Sequence, residues 1–210
     1  MTEELAYEVV GRLPDGVELR RYPAHAVAEV TVRGSLGGAV NRAFAPLFAY
    51  ISGSNQPRAK VAMTAPVVQQ PAGRRGHRVA MTAPVVQEQA GAPGAGPSAG
   101  GGPGEGAFTV AFVLAADVTE ETAPVPTDER VHLRTVPPSL AAAIRYSGRW
   151  TESGFETHRD RLLAAVAEAG LTPVGAPRWL RFDPPVKPWF LRRNEVVVDV
   201  VEPDGTGTNG

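Results

Sequence analysis

The sequence Lys60-Val-Ala-Met-Thr-Ala-Pro-Val-Val-Gln69 is repeated eighteen residues later as Arg78-Val-Ala-Met-Thr-Ala-Pro-Val-Val-Gln87. Nine consecutive residues are identical, and a basic residue precedes them both times. The phrase is apolar and rich in β-branched residues, and its proline cannot donate a hydrogen bond to a neighbouring strand. Each copy therefore predicts a short strand that runs into a bend.

A second, weaker repeat surrounds this phrase. Residues 17–34 align without a gap with residues 131–148, and Val, Leu, Arg, Pro, Ala and Gly recur in register. Both copies alternate apolar and polar residues, which is the pattern of a half-buried strand. A proline interrupts each copy and a glycine ends it, so each copy predicts two strands.

A helix is predicted after each copy. The first spans roughly residues 37–51, and Pro46 inside it predicts a kink. Its apolar stripe consists of Val40, Phe44, Leu47, Phe48 and Ile51. The second spans roughly residues 154–169, with Ser153 and Glu156 as a capping box.

Strands are predicted again after each helix. In the first half these are the repeated phrase and residues 108–114, and in the second half residues 178–182 and 195–201. Two β-β-α-β-β halves predict one α+β domain over residues 5–202. Its sheets would face each other or close into a barrel, with both helices outside.

Two segments are predicted to be disordered. Residues 89–106 are almost entirely Ala, Gly, Pro and Ser, so they cannot bury enough apolar area to offset the entropy of ordering them. We interpret them as a surface insertion, because the strand from residue 108 onward is still needed to complete the first half. The tail, residues 203–210, is predicted to be disordered as well.

The composition excludes several classes of function. The 210-residue chain has no cysteine, which excludes disulfides, thiolate chemistry and iron–sulfur clusters. A net charge of −1 argues against nucleic acid or a membrane surface as a partner held by bulk charge. The acidic N-terminus lacks the apolar run of a signal peptide or membrane span. We therefore expect a soluble, cytoplasmic monomer.

No catalytic or metal-binding motif stands out. Met63 or Met81 could ligate a heme iron, but methionines in strand phrases more often fill gaps in a core. The four histidines, none at the spacing of a metal-binding pair, are His25, His77, His132 and His158. There is no Gly-x-Ser-x-Gly, phosphate-binding loop or dinucleotide fingerprint. The sequence predicts no enzymatic activity and leaves any metal ligand open.

The segment Phe182-Asp-Pro-Pro-Val-Lys-Pro-Trp-Phe-Leu-Arg-Arg-Asn-Glu-Val196 combines prolines, aromatic rings and cations before an apolar strand. This segment and the Ala-Met-Thr-Ala-Pro-Val phrase resemble the SOUL, or heme-binding-protein, family. The resemblance runs from about Tyr7 to Val201, apart from the insertion. It implies a SOUL-like distorted β-barrel of two pseudo-repeated β-β-α-β-β halves with two flanking helices.

The resemblance also implies a ligand and a site. Members of this family bind heme or other tetrapyrroles weakly and non-covalently in a shallow apolar cleft beside the first helix, where basic residues meet the propionates. Two of the basic positions match Arg42 and Lys187, and Tyr50 replaces a third. The cofactor-binding residues expected here are Val40, Arg42, Ala43, Phe44, Leu47, Phe48, Tyr50, Ile51, Lys187 and Arg192. The ligand of the iron stays open.

Two alternative functions remain. One is a small-molecule-sensing module, because GyrI-like effector domains resemble the same two-repeat fold. The other is a hydrolase or lyase that uses Glu195 or a nearby tyrosine in the same cleft. An apolar cleft rimmed by cations would favour heme, whereas a polar cleft with converging Glu and Tyr side chains would favour an enzyme.

Overall fold

Eleven strands and two α-helices occur in the part of the chain that the computed structural model describes, namely residues 4–56, 78–79, 81–89, 106–183 and 186–201. The strands are β1 (Glu8–Arg12), β2 (Glu18–Tyr22), β3 (His25–Gly34), β4 (Asn55–Gln56), β5 (Met81–Gln89), β6 (Gly106–Leu114), β7 (Val125–Pro126), β8 (His132–Val136), β9 (Ser139–Ser147), β10 (Thr172–Arg181) and β11 (Arg193–Val201). The helices are α1 (Leu36–Ile51) and α2 (Glu152–Glu168). The first copy of the repeated phrase, residues 90–105 of the predicted insertion and the predicted tail lie outside the described residues.

Nine strands form one antiparallel sheet, in the order β1-β2-β9-β11-β10-β5-β6-β3-β8, and β4 pairs with β7 separately. Within the described residues β1 pairs only with β2, and β8 only with β3. The sheet is therefore open, and the expected closure into a β-barrel is wrong. Period-2 patterns predict strands, but closure depends on pairing between the two outermost strands, which no local pattern specifies.

The strand order links the two halves of the sheet. β2 pairs with β9, and β8 pairs with β3, so the first repeat strand of each half extends the other half of the sheet. Apart from β1, the order is symmetric about the contact between β10 and β5, with four strands on either side. This arrangement agrees with two similar halves, although the sequence duplication itself stays a prediction.

Both helices pack on one face of the sheet, which we call the helix face. α1 lies on β3 and β6, and α2 lies on β9, β10 and β11. A single core joins them to the sheet and includes Leu47, Leu162, Phe112 and Trp179. The opposite surface, which we call the helix-free face, carries two smaller apolar groups around Leu180 and Val113.

The start of each helix follows from a local capping residue. The Ser35 hydroxyl accepts a hydrogen bond from Gly38 N at 3.2 Å at the start of α1. The Thr151 hydroxyl does the same for Gly154 N at 3.1 Å, so Thr151 caps α2 and the predicted role of Ser153 is wrong. α1 continues through a buried Pro46. No helix among the described residues has the length and apolarity needed to cross a membrane.

Candidate functional site

Two exposed phenylalanine rings mark the surface of α1. Phe44 and Phe48 lie one helical turn apart and stack with ring centroids 5.5 Å apart and planes at 12°. They are 46% and 52% exposed, and Phe44 packs edge-on against Phe112 of β6 at 5.7 Å. Since exposed aromatic pairs of this kind are uncommon on a surface without a ligand or partner, this pair is a candidate binding surface.

The other predicted residues of α1 divide between core and surface. Ala43, Leu47, Tyr50 and Ile51 are buried, and the Tyr50 hydroxyl donates to Pro124 O at 3.0 Å. Val40 is half-buried. The apolar stripe predicted from the sequence therefore contains two faces, one packed against the sheet and one, at Phe44 and Phe48, open to solvent.

The three predicted cations all have partners within the chain. Arg42 is exposed and donates to the backbone oxygen of Arg33. Lys187 forms a salt bridge of 2.7 Å with Asp183. Arg192 donates to the Lys187 carbonyl oxygen at 2.8 Å and lies 4.4 Å from the ring centroid of Trp150. Arg42 is thus held by a backbone oxygen, Lys187 by a carboxylate, and Arg192 by a backbone oxygen and an indole ring.

Arg42 and Lys187 lie at different ends of the sheet. Arg33, which Arg42 contacts, pairs with Ala107 of β6. Lys187 follows Arg181, which lies in the same sheet row as Phe112. Ala107 and Phe112 are five residues apart along β6, which corresponds to about 16 Å. The backbone levels next to which these two cations lie are therefore separated by about that distance along the strands.

A row of directly paired residues crosses the helix face at the Phe112 level. Tyr146 pairs with Asn194, Asn194 with Arg181, Arg181 with Val85, and Val85 with Phe112. Directly opposite residues in antiparallel strands point to the same face. Arg181 therefore lies on the helix face, two strands or about 10 Å from Phe112.

Arg181 is a buried cation without a carboxylate partner among the described residues. It is only 6% exposed, and its Nη2 donates to Gln87 Oε1 at 3.2 Å. The guanidinium carbon lies 4.0 Å from the Trp179 ring centroid and 5.1 Å from that of Trp150. Burial lowers the pKa of the Arg181 guanidinium to about 10, and only Tyr146 opposes the shift. The side chain is thus still charged near neutral pH.

Several polar atoms around Arg181 lack hydrogen bonds within the described part of the chain. These buried atoms are Arg181 Nε, Trp150 Nε1, Trp179 Nε1, Tyr146 OH and Asn194 Oδ1. Burial raises the pKa of the Tyr146 hydroxyl, and the Arg181 charge and the neighbouring Trp179 indole offset this only in part. We call Arg181, Trp150, Trp179 and Tyr146 the Arg181 cluster.

Sequence reasoning missed the Arg181 cluster. One signal was present, because Trp179 and Arg181 are two residues apart in a predicted strand and so share a face. The large apolar Trp179 indicates that this face is buried, and an arginine on a buried face is unusual. Trp150 and Tyr146 come from β9 and the loop after it, more than thirty residues before Arg181 in the chain, and their contribution needs the strand pairing.

No iron ligand is evident. His25 Nδ1 lies 3.0 Å from Pro23 O, and His158 Nδ1 lies 2.7 Å from Gly154 O, with its ring stacked on Tyr146 at 3.8 Å. His132 is exposed. Met63 and His77 lie outside the described residues. Across the described ranges, no group of three or more His, Cys, Asp or Glu residues could hold a metal ion.

A second candidate site is a cavity of about 370 Å³ on the helix-free face. Its apolar floor comes from five residues of neighbouring strands, namely Val27, Val86, Ala111, Leu180 and Val197. A volume of this size falls within the range of small-molecule sites.

The wall of this cavity is charged. Arg178 contacts both Asp199 oxygens at 2.6 and 2.7 Å, and Arg134 lies 3.0 Å from Glu29. Glu88 lies 3.9 Å from Arg134. Burial raises the pKa of the Glu88 carboxyl, and the two arginines offset the shift only in part. Three carboxylates against two guanidinium groups leave one negative charge when all are ionised.

Glu195, the residue of the enzyme alternative, is held in an ionic network. Its side chain is fully buried, 2.5 Å from Arg20 and 2.7 Å from Arg193. Arg20 also bonds Glu18 at 2.8 Å and the Tyr22 hydroxyl at 3.2 Å. Both Glu195 oxygens accept from arginines, so this carboxylate is poorly placed to take a proton from a substrate.

The chain belongs to the SOUL heme-binding protein family, whose model matches residues 2–199. No curated protein sequence matches the chain significantly.

Solved structures share the fold at low sequence identity. The crystal structure of the EcmrR C-terminal domain has a TM-score of 0.61 and 10% identity, over 94% of this chain and 99% of that domain. EcmrR in its cryo-EM complex with DNA has a TM-score of 0.59 and 11% identity, over 89% of this chain but only 57% of that longer chain. The crystal structure of a hydrolase from Listeria innocua has a TM-score of 0.52 and 14% identity, over 95% of this chain and 94% of that chain. At these identities the likeness is one of fold alone.

Proposed function

We propose that this member of the SOUL heme-binding protein family binds heme or a related tetrapyrrole non-covalently on the helix face, beside α1. The observation that carries the proposal is the stacked and exposed Phe44–Phe48 pair resting on Phe112. A flat apolar macrocycle would cover these rings and remove their apolar surface from water.

The side chains around the pair fit such a ligand in polarity and charge. The rings supply apolar contact, and the sheet row at Phe112 leads across Val85 to Arg181. Arg192, in the following loop, lies over the same Trp150 ring as Arg181. A tetrapyrrole carries carboxylates at one edge of an apolar disc, so it needs both surfaces. Heme would bring its iron as a redox or ligand-binding centre, and we assign no residue to that iron.

Hemin titration tests the proposal. The purified protein should shift the Soret band, with saturation near one hemin per chain. The double variant Phe44→Ser, Phe48→Ser should weaken binding about tenfold or more, because each aromatic contact contributes about 0.5–1.5 kcal/mol beyond its buried area. Val174→Ser is the matched control, since Val174 is 48% exposed and belongs to β10.

Two results would contradict the proposal. A flat difference spectrum at micromolar protein would mean that hemin does not bind. Equal affinity of the double variant and the Val174→Ser control would mean that hemin binds elsewhere.

A second candidate function is small-molecule sensing through the cavity on the helix-free face. The observation that favours it is an apolar floor beside a carboxyl group, Glu88, whose pKa is raised by burial. The excess of one negative charge in the wall suits an apolar cation. Tetraphenylphosphonium and tetraphenylborate have similar shape and opposite charge, so equilibrium dialysis with both isolates the effect of charge.

The cation should bind more tightly than the anion, and Glu88→Gln should reduce that preference. Glu129→Gln, which changes an exposed carboxylate outside the cavity, is the control and should leave the preference intact. Failure of both ions to bind, or stronger binding of the anion, would argue against this candidate. Neither candidate function includes a catalytic step.

A further inference from the structure

We propose that the Arg181 cluster is a carboxylate-binding site, in which Arg181 and its neighbouring N–H and O–H groups receive a propionate of the bound tetrapyrrole. The inference rests on the proposed function for the identity of the ligand. It adds the residue that recognises the acid group, which lies outside the set predicted from the sequence.

The charge of Arg181 is the first argument. A guanidinium that is 94% buried, with no salt bridge among the described residues, loses hydration without gaining an opposite charge. Its only hydrogen bond from the described residues goes to the neutral amide of Gln87. An entering carboxylate would supply the missing charge, and the low local polarity would strengthen the contact.

The unbonded donors are the second argument. Arg181 Nε, the two indole nitrogens and the Tyr146 hydroxyl all carry a hydrogen and are buried, and none meets an acceptor in good hydrogen-bonding geometry in the described part of the chain. The Trp179 indole nevertheless lies close enough to the Tyr146 hydroxyl to offset part of the rise that burial causes in the pKa of that hydroxyl. Asn194 Oδ1 can only accept, and the Tyr146 hydroxyl can accept as well as donate. Buried polar groups without partners are rare, so several donors around one cation indicate a missing anion.

The third argument is position. Arg181 lies in the same row of the helix face as Phe112, against which Phe44 packs. The intervening residue, Val85, is half-buried and apolar. A disc-shaped ligand resting on the phenylalanine rings would reach Arg181 across Val85, about 10 Å away. Arg42, in contrast, is tied to the backbone at the other end of β3.

The competing explanation is that a carboxylate of this chain outside the described residues occupies the cluster. Residues 57–77 contain no Asp or Glu. Glu3, Glu105, Glu202 and Asp204 are the acidic side chains in the remaining undescribed segments. In that case Arg181 would have a structural role in an internal ion pair, and replacing it would destabilise the ligand-free protein.

The first experiment compares hemin with hemin dimethyl ester. The protein should prefer the acid form by about 10- to 100-fold, the range expected for a buried hydrogen bond to a charged group. Arg181→Met should lose this preference while still binding the ester as well as the original protein does. Arg42→Met is the control and should keep the preference. Loss of the preference in Arg42→Met, with retention in Arg181→Met, would overturn the proposal.

The second experiment follows the indole N–H signals of the three tryptophans by NMR with metal-free protoporphyrin IX and its dimethyl ester. The ring effects of the two porphyrins are similar, so their difference reports the carboxylate. The Trp150 and Trp179 signals should differ between acid and ester, and the exposed Trp189 should not. Identical spectra for the two forms would overturn the proposal.

The proposed function and this inference fail in distinguishable ways. If neither porphyrin binds, the proposed function fails, and titration with benzoate against benzyl alcohol then tests the cluster alone through the same two indole signals. If both porphyrins bind equally, only the carboxylate site fails.

The melting temperature of the free protein separates binding from a structural role. Arg181→Met should leave it unchanged or raised, because the variant removes a buried charge that has no opposite charge beside it. A fall of more than about 4 °C would mean that Arg181 is already satisfied within the chain, and would overturn the proposal.

Discussion

Two arginines on opposite faces of the same sheet are almost equally buried and have opposite surroundings. Arg20, 2% exposed, contacts the carboxylates of Glu18 and Glu195 on the helix-free face. Arg181, 6% exposed, lies between indole rings on the helix face. Burial alone would lower the pKa of Arg20, yet Glu195 and Tyr22 raise it, whereas the pKa of Arg181 falls to about 10.

The difference shows that burial of a charge does not by itself define its role. A buried ion with its full set of partners stabilises the fold, because removing one partner leaves an unpaired charge in the apolar interior. A buried ion without an opposite charge destabilises the free protein and gains most when a ligand arrives. The two arginines therefore predict opposite responses to substitution.

The largest expected effect is in the Arg20 network. Glu195→Gln would leave Arg20 and Arg193 without their shared carboxylate, and should lower the free energy of unfolding by about 3–5 kcal/mol. Urea denaturation measures this change. Glu18→Gln is the control, because Glu18 is 25% exposed and its loss should be at most about 1 kcal/mol. A similar loss of unfolding free energy in both variants would mean that the buried carboxylate contributes no more to stability than the partly exposed one.

The direct counterpart of Arg181→Met comes next. Arg20→Met should lower the free energy of unfolding by about 2–3 kcal/mol, because Glu195 and the Tyr22 hydroxyl each lose a hydrogen-bond partner. Thermal and urea unfolding of the two methionine variants, measured side by side, should give changes of different size or sign. Equal destabilisation would remove the distinction between the two arginines.

Supplying Arg181 with a carboxylate should make it resemble Arg20. Val85 pairs directly with Arg181, so Val85→Glu would place an acidic side chain beside the guanidinium. We expect the variant to lose the preference of about 10- to 100-fold for porphyrin acid over ester, since its own carboxylate then occupies the site. Val85→Gln, of the same size without the charge, is the control. An unchanged preference in both variants would place the acid group of the ligand elsewhere.

The smallest effect concerns the cavity on the helix-free face. Because burial raises the pKa of Glu88, the folded protein keeps this proton at pH values where the unfolded chain has released it. The contribution of protonated Glu88 to stability is complete at pH values below its pKa in the unfolded chain. It is lost as the pH rises through its pKa in the folded protein. The free energy of unfolding relative to Glu88→Gln should therefore fall as the pH rises above the unfolded pKa of about 4, by less than about 1 kcal/mol.

The Arg134, Arg178, Glu29 and Asp199 side chains contact or surround Glu88 in both proteins, so the difference isolates one carboxyl group. His25, whose pKa is lowered by burial, is present in both proteins as well. A difference that rises with pH would contradict the expected sign.

Local sequence patterns predicted most of the fold. The alternation in residues 17–34 and 131–148 predicted pairs of strands, and the structure has β2–β3 and β8–β9 there. The helices were predicted to within two residues at each end. The open sheet could not be predicted, because whether β1 meets β8 depends on the twist and pairing of all nine strands.

The candidate site was less predictable than the fold. The spacing of Phe44 and Phe48 put them on the apolar side of α1, but only the structure separates them from the buried Leu47 and Ile51. The Arg181 cluster draws residues from β9, β10 and the loop before α2. Such a cluster has no sequence motif, since its members become neighbours only when the strands pair.

The exchange of β2 and β8 between the two halves has a consequence for how this fold can be divided. A fragment ending between β6 and β8 would carry β1 and β2 without β9, the strand they pair with, and β3 would lack β8. Neither fragment could complete its own sheet, yet each holds the strand that the other needs. Two such pieces, or two copies of one ancestral half, would therefore be complementary. Each would complete the backbone hydrogen bonds of its strands only by pairing with the other.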